Sequence, residues 1–146
     1  MHKSGAARNA AALPPPQPEL DPQGRMRFIL VDWLLEVATL KGYSCETLYC
    51  AIDMVDRYLA CRTIYRRTLQ LLGITCMVVA ARYLEQEVVT IREAAWLTEN
   101  TYRYEEVVQM MASVLSVVHG YVRRPSASDF FSLFADLCKV WRTDGE

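Results

Sequence analysis

Two histidines, five cysteines and 17 carboxylate side chains are the groups that could do covalent or acid–base chemistry in these 146 residues. To act, a nucleophile or an acid–base pair must be held in a fixed geometry. His2 stands at the extreme start of the chain. His119 precedes Gly120 at what reads as a helix end, where a cation suits the carbonyl terminus better than it suits general-base work. Glu105 and Glu106 open a predicted helix, where acidic groups suit the dipole. There is no GxSxG, no HExxH, no Walker loop and no glycine-rich phosphate turn. Cys45, Cys50, Cys61, Cys76 and Cys138 are odd in number and include no CxxC pair. Most fall in apolar helical patterns, where a thiol behaves as a small hydrophobe. That argues against a disulfide frame or a zinc site and for a reducing compartment. The residues therefore nominate no catalytic set, no metal and no cofactor.

What remains is the chemistry of a surface. "GRMRFILVDWLLEV", Gly24–Val37, is mostly apolar beyond Arg25, yet it keeps Arg27, Asp32 and Glu36 as isolated charges. Met26, Ile29, Leu30 and Trp33 recur at i, i+3, i+4 and i+7, so they share one helical stripe. Val31, Leu34, Leu35 and Ala38 supply a second apolar face. A surface helix needs only one such stripe for its own core.

These positions must be carried by a fold, and the pattern is all-helical. Residues 1–23 hold five of the six prolines and read as a flexible tail. Helical periodicity then runs over about Arg27–Lys41, with Gly42 placed to end it, and from Ser44 through Leu48, Ala51, Ile52, Val55 and Leu59. The segment Thr68–Tyr83 is apolar nearly all round and belongs at the centre of a bundle. Thr90 and Glu93 form a capping-box pattern before a fourth helix ending near Glu99. A fifth follows Asn100 or Thr101, carries Tyr104, Val107, Val108, Met111, Val114, Leu115 and Val118, and stops at Gly120. Pro125 and Ser126 introduce a sixth, shorter pattern, "SDFFSLFADLCKVW". Short links between patterns suit a compact bundle. A formal net charge of −1 gives no bulk attraction to nucleic acid or a membrane surface, and no stretch is long and apolar enough to cross a bilayer.

"MRFILVDWLLEV" together with "VDRYL" (Val55–Leu59), "LQLLGITCMVVAARYLEQE" (Leu69–Glu87) and "LTENTY" (Leu97–Tyr102) resembles the cyclin box in the order and spacing of its blocks. The resemblance covers about Gln17 to Phe134. "VTIREAAWLT", Val89–Thr98, looks most like the F-type cyclins, with the A- and B-types next. It implies a five-helix cyclin-box bundle over residues 24–122 around a central apolar helix. Residues 123–146 then form a short C-terminal helix and tail, and the second cyclin repeat is absent.

The likeness implies two duties for the first helix. One face, Val31, Leu34, Leu35 and Ala38, would pack on the central helix. The other, Met26, Ile29, Leu30 and Trp33, completed by Leu69 and Gln70, would form a docking groove for RxL-type peptides, with Glu36 meeting the peptide arginine. Arg27 and Asp56 would form a buried structural ion pair. Cyclins that bind a cyclin-dependent protein kinase carry a lysine and a glutamate at its interface. Here Arg82 and Met111 stand in those places, beside Tyr83 and Glu85. The expected function is thus a regulatory protein of the cell cycle, in the nucleus or cytoplasm, that binds a kinase and docks substrates. Two alternatives stand beside it: an F-type-like substrate adaptor without kinase activation, and a truncated inactive isoform.

Overall fold

A computed structural model describes residues 24–143, and the expected tail over 1–23 lies outside them. The described residues form six helices and no strand: α1 (Arg25–Lys41), α2 (Cys45–Cys61), α3 (Arg66–Leu84), α4 (Ile91–Leu97), α5 (Tyr104–Val117) and α6 (Ala127–Thr143).

Local chemistry sets the boundaries. α1 ends because Gly42 takes a left-handed conformation, φ 66°, which lets its N–H reach the carbonyls of Ala38 and Thr39. Two residues later Ser44 caps α2, its Oγ accepting from the Thr47 N–H. Thr90 caps α4 the same way through the Glu93 N–H. The expected reciprocal half is missing: the Glu93 carboxylate pairs instead with Lys41 at 2.5 Å. α5 begins later than expected, with Arg103 rather than Asn100 or Thr101 at the cap position, and Glu106 Oε2 accepts from the Arg103 N–H at 2.8 Å. The reciprocal box appears where the pattern was not singled out. Ser126 and Asp129 accept each other's backbone N–H at the start of α6.

The centre is α3, buried without interruption from Leu71 to Ala81. Around it α2 contributes Leu48, Ala51, Met54 and Val55, and α4 contributes Ala94. α5 buries Val107 and Val114, and its C-cap Val118 is buried too, with Met110, Met111 and Val117 half-buried beside them. Tyr104, Val108 and Leu115, expected in that stripe, are exposed. The true stripe is rotated, so that i, i+3, i+4, i+7, i+10 and i+11 from Val107 face inward.

α6 departs most from expectation. It is 17 residues long, as long as α1, and not a short appendix. Phe130, Leu133, Phe134, Leu137, Val140 and Trp141 lie along one half of its circumference, and all are exposed. Among the described residues, the contacts that tie it to the bundle are polar and lie at its start. A row on α2, Glu46, Cys50, Asp53 and Arg57, holds the connecting strand of chain from α5. Arg57 donates to the carbonyls of Tyr121 and Val122, and Cys50 Sγ donates to Val122 O. Asp53 pairs with Arg124 and Glu46 with Arg123, which also pairs with Asp129. Burial pushes the Cys50 thiol up to about 11, so it is a neutral donor here and not a reactive thiolate.

Candidate functional site

α1 lies along α3 in the same direction. Near their starts, Leu30 sits directly over Gly73, so closely that a Cβ on that glycine would stand 2.6 Å from Leu30 Cδ1. At the other end Lys41 of α1 reaches Glu93 of α4, and just past α1 Tyr43 Oη donates to Glu87 O, just past α3, at 3.4 Å. Glu85, just past α3, accepts from the Ser44 N–H, the Ser44 hydroxyl and the Thr47 hydroxyl at the start of α2. α1 is thereby clamped at both ends of its run.

Clamping decides which side of α1 is inward. The buried residues are Leu30, Leu34, Val37 and Ala38. The expected inner face of Val31, Leu34, Leu35 and Ala38 needs correction: Leu35 is exposed and Val31 only half-buried, while Val37 and Leu30 take their places. The inner face is centred on the Leu30–Leu34–Val37 line because the missing side chain of Gly73 admits Leu30.

The outer row divides accordingly. Leu30, at 5% exposure, is floor rather than wall. Met26 and Trp33 are half-buried, Trp33 packing against the core, and Ile29 is 60% exposed. Leu40 continues the same edge in solvent. Leu69 and Gln70 of α3 are half-buried one turn before Gly73, on the helix face that Leu30 covers. Leu30 thus lies buried over Gly73, with Met26, Ile29 and Trp33 of α1 and Leu69 and Gln70 of α3 keeping part of their surface open. Glu36 is exposed on the α1 edge, a turn beyond Trp33. Such a site can take an apolar side chain from a partner and hold a cation beside it. Burying a leucine there is worth about 1.5–3 kcal/mol.

Arg27 and Asp56 meet side by side, Nε to Oδ1 at 2.7 Å and the terminal nitrogen to Oδ2 at 2.8 Å. The expectation that the pair is buried is corrected, since the side chains are 48% and 43% exposed. Arg27 projects toward α2 over the rim of the bundle, so water screens the pair and each partner tolerates loss of the other.

The four residues grouped at a kinase interface are not equivalent. Arg82 and Tyr83 are exposed on the last turn of α3. Met111 is half-buried against the core. Glu85 is committed to capping α2, and its hydrogen bonds, first from the Thr47 hydroxyl and then from the Ser44 N–H, hold its carboxyl below the usual range. Sequence reasoning missed this cap, and also the anchoring row on α2. A charge two residues after an apolar helix, facing a serine N-cap, was the available signal for the first. Charges at i, i+7 and i+11 from Glu46, with Cys50 between them at i+4, were the signal for the second. Among the described residues no group of His, Cys, Asp and Glu is arranged to hold a metal ion, and no helix is long and apolar enough to cross a membrane.

Residues 4–123 match the cyclin N-terminal domain model. The chain belongs to the cyclin family. It is 46% identical to cyclin-F of Xenopus tropicalis over 118 residues, 81% of this chain and 16% of that protein. It is 47% identical to cyclin-F of Homo sapiens over 115 residues, 79% of this chain and 15% of that protein. The chain thus spans about a sixth of the length of these F-type relatives. Its fold superposes on a viral cyclin from herpesvirus saimiri with a TM-score of 0.70 and 18% identity, covering 80% of this chain and 51% of the other. The bundle is the cyclin-box fold, and within the cyclin family the chain is similar to the F-type members.

Proposed function

We propose that this cyclin is a binding module whose furrow between α1 and α3 docks RxL-type segments of substrate or inhibitor proteins. The observation that carries the reading is the division of the α1 row. Leu30 is spent on the fold, whereas Ile29, with the half-buried Met26 and Trp33, leaves apolar surface open beside two exposed carboxylates one turn apart, Asp32 and Glu36. An apolar trough edged by carboxylates suits a peptide bearing an arginine and a leucine.

Fluorescence-polarisation titration of an RxL peptide tests it. Trp33→Ala is expected to weaken binding by about 2 kcal/mol, near thirtyfold. Because Trp33 also packs on the core, Ile29→Asp serves as the companion variant: its exposed position leaves the melting temperature unchanged while binding falls. Equal affinity of the wild type and both variants removes the assignment.

Contact with a cyclin-dependent kinase is a second reading, supported by the exposure of Arg82 and Tyr83 at the end of α3. Kinase activation has less support than substrate recruitment. Met111 offers no acceptor, and Glu85 is occupied at the α2 cap. Pull-down against a kinase panel separates an activator from an adaptor.

A further inference from the structure

The ends of the furrow carry opposite charge. Toward the end of α1, Glu36 is exposed with Asp32 one turn before it, and Glu87 is exposed past α3. At the near end the chain between α2 and α3 brings Arg62, Arg66 and Arg67 within six residues, all exposed. None of the three makes an ion pair among the described residues. Arg67 lies over the Tyr65 ring, 5.0 Å from its centroid, which holds it beside the turn. Arg66 opens α3 and precedes Leu69, Gln70 and Gly73 by three, four and seven positions. It therefore stands on the face that meets α1, one turn beyond the residues that edge the furrow. Asp56, the carboxylate that meets the first turn of α1, is already held by Nε and a terminal nitrogen of Arg27.

We propose that the occupant of the furrow is a peptide of mixed charge. Its arginine lies at Glu36, its leucine over Leu30 and Trp33, and one or more aspartate or glutamate side chains follow the leucine to meet Arg66, with Arg62 and Arg67 around it. This rests on the docking reading above and adds a direction and a composition to it. The peptide runs antiparallel to α1, and its sequence class is Arg-x-Leu followed within a few residues by acid. Arg66 is the specificity-determining residue. Such rim charges act in solvent, so their effect is modest and falls with salt.

The test uses the whole chain and three RxL peptides of equal length that differ only after the leucine, carrying two glutamates, two serines or two lysines. Fluorescence polarisation is read at low and at high salt. The glutamate peptide is expected to bind about fivefold more tightly than the serine peptide at low salt, with the gap closing at high salt. Arg66→Glu is expected to reverse the order of the glutamate and lysine peptides. It should leave the serine peptide and the melting temperature unchanged. Equal binding of the three peptides, or an order that survives Arg66→Glu, overturns the proposal while the serine peptide's own affinity keeps the furrow. Failure of all three to bind overturns both.

Discussion

α1 and α6 are both 17 residues long, and both carry more apolar surface than polar neighbours require, yet the bundle uses them oppositely. α1 buries four residues and is clamped along its length, with an open edge left over. Among the described residues α6 is fastened to the bundle at its start, through Arg123, Asp129 and Ser126, and its apolar half is exposed. The difference teaches that an amphipathic pattern declares a helix but not its cover. Cover comes from the opposite surface. For α1 that is Gly73 and the tight turn at Gly42; for α6 the described residues supply none.

Truncation breaks the comparison most directly. Leu34→Ala in α1 removes a fully buried side chain and is expected to cost about 2–5 kcal/mol in chemical denaturation. Phe134→Ser in α6, despite deleting a larger group, is expected to change stability by less than about 0.5 kcal/mol and to reduce self-association in light scattering. A large loss from Phe134→Ser would mean that α6 is covered in solution. Gly73→Ala sharpens the α1 side: its Cβ meets Leu30, and about 1–3 kcal/mol of overpacking is expected. Asp56→Ala tests the rim pair. Half-exposed ion pairs are worth at most about 1 kcal/mol, so the domain stays folded with only a small drop in melting temperature.

The smallest effect is in pH. The folded-state pKa of Glu85 lies below its ordinary value of 4.5 because the ionised carboxylate accepts hydrogen bonds. A depressed carboxylate contributes stability that is complete above the unfolded value and is lost as pH falls through the folded one. Glu85→Gln is therefore expected to flatten the stability profile below about pH 4.5 and leave its shape at neutral pH alone. A profile with the same acid limb in both proteins would show that the cap is not formed.

The six helices were legible because periodicity, Ser44, Thr90 and Gly42 all point the same way. The rotation of α1 was not. Apolar residues occupy most of its circumference, so spacing alone cannot choose Val37 over Leu35. Only the approach to Gly73 does, and that pairs positions 43 apart in the chain. The Arg27–Asp56 pairing followed from family likeness, but its exposure depends on where the rim of the bundle falls. In the furrow the row of residues could be read, whereas its division into floor and edge could not. Arg57 and Glu85 look like ordinary surface charges until the carbonyls and hydroxyls they serve are placed.

Gly73 also bears on evolution and engineering of the binding edge. Leu30 sinks where a methyl group is lacking beneath it, so the trench above is as deep as that vacancy allows. On the docking reading, a bulkier residue at position 73 would lift Leu30 from below and make the trench shallower without replacing any residue the peptide touches. Screens that scan only the outward-facing positions would overlook it.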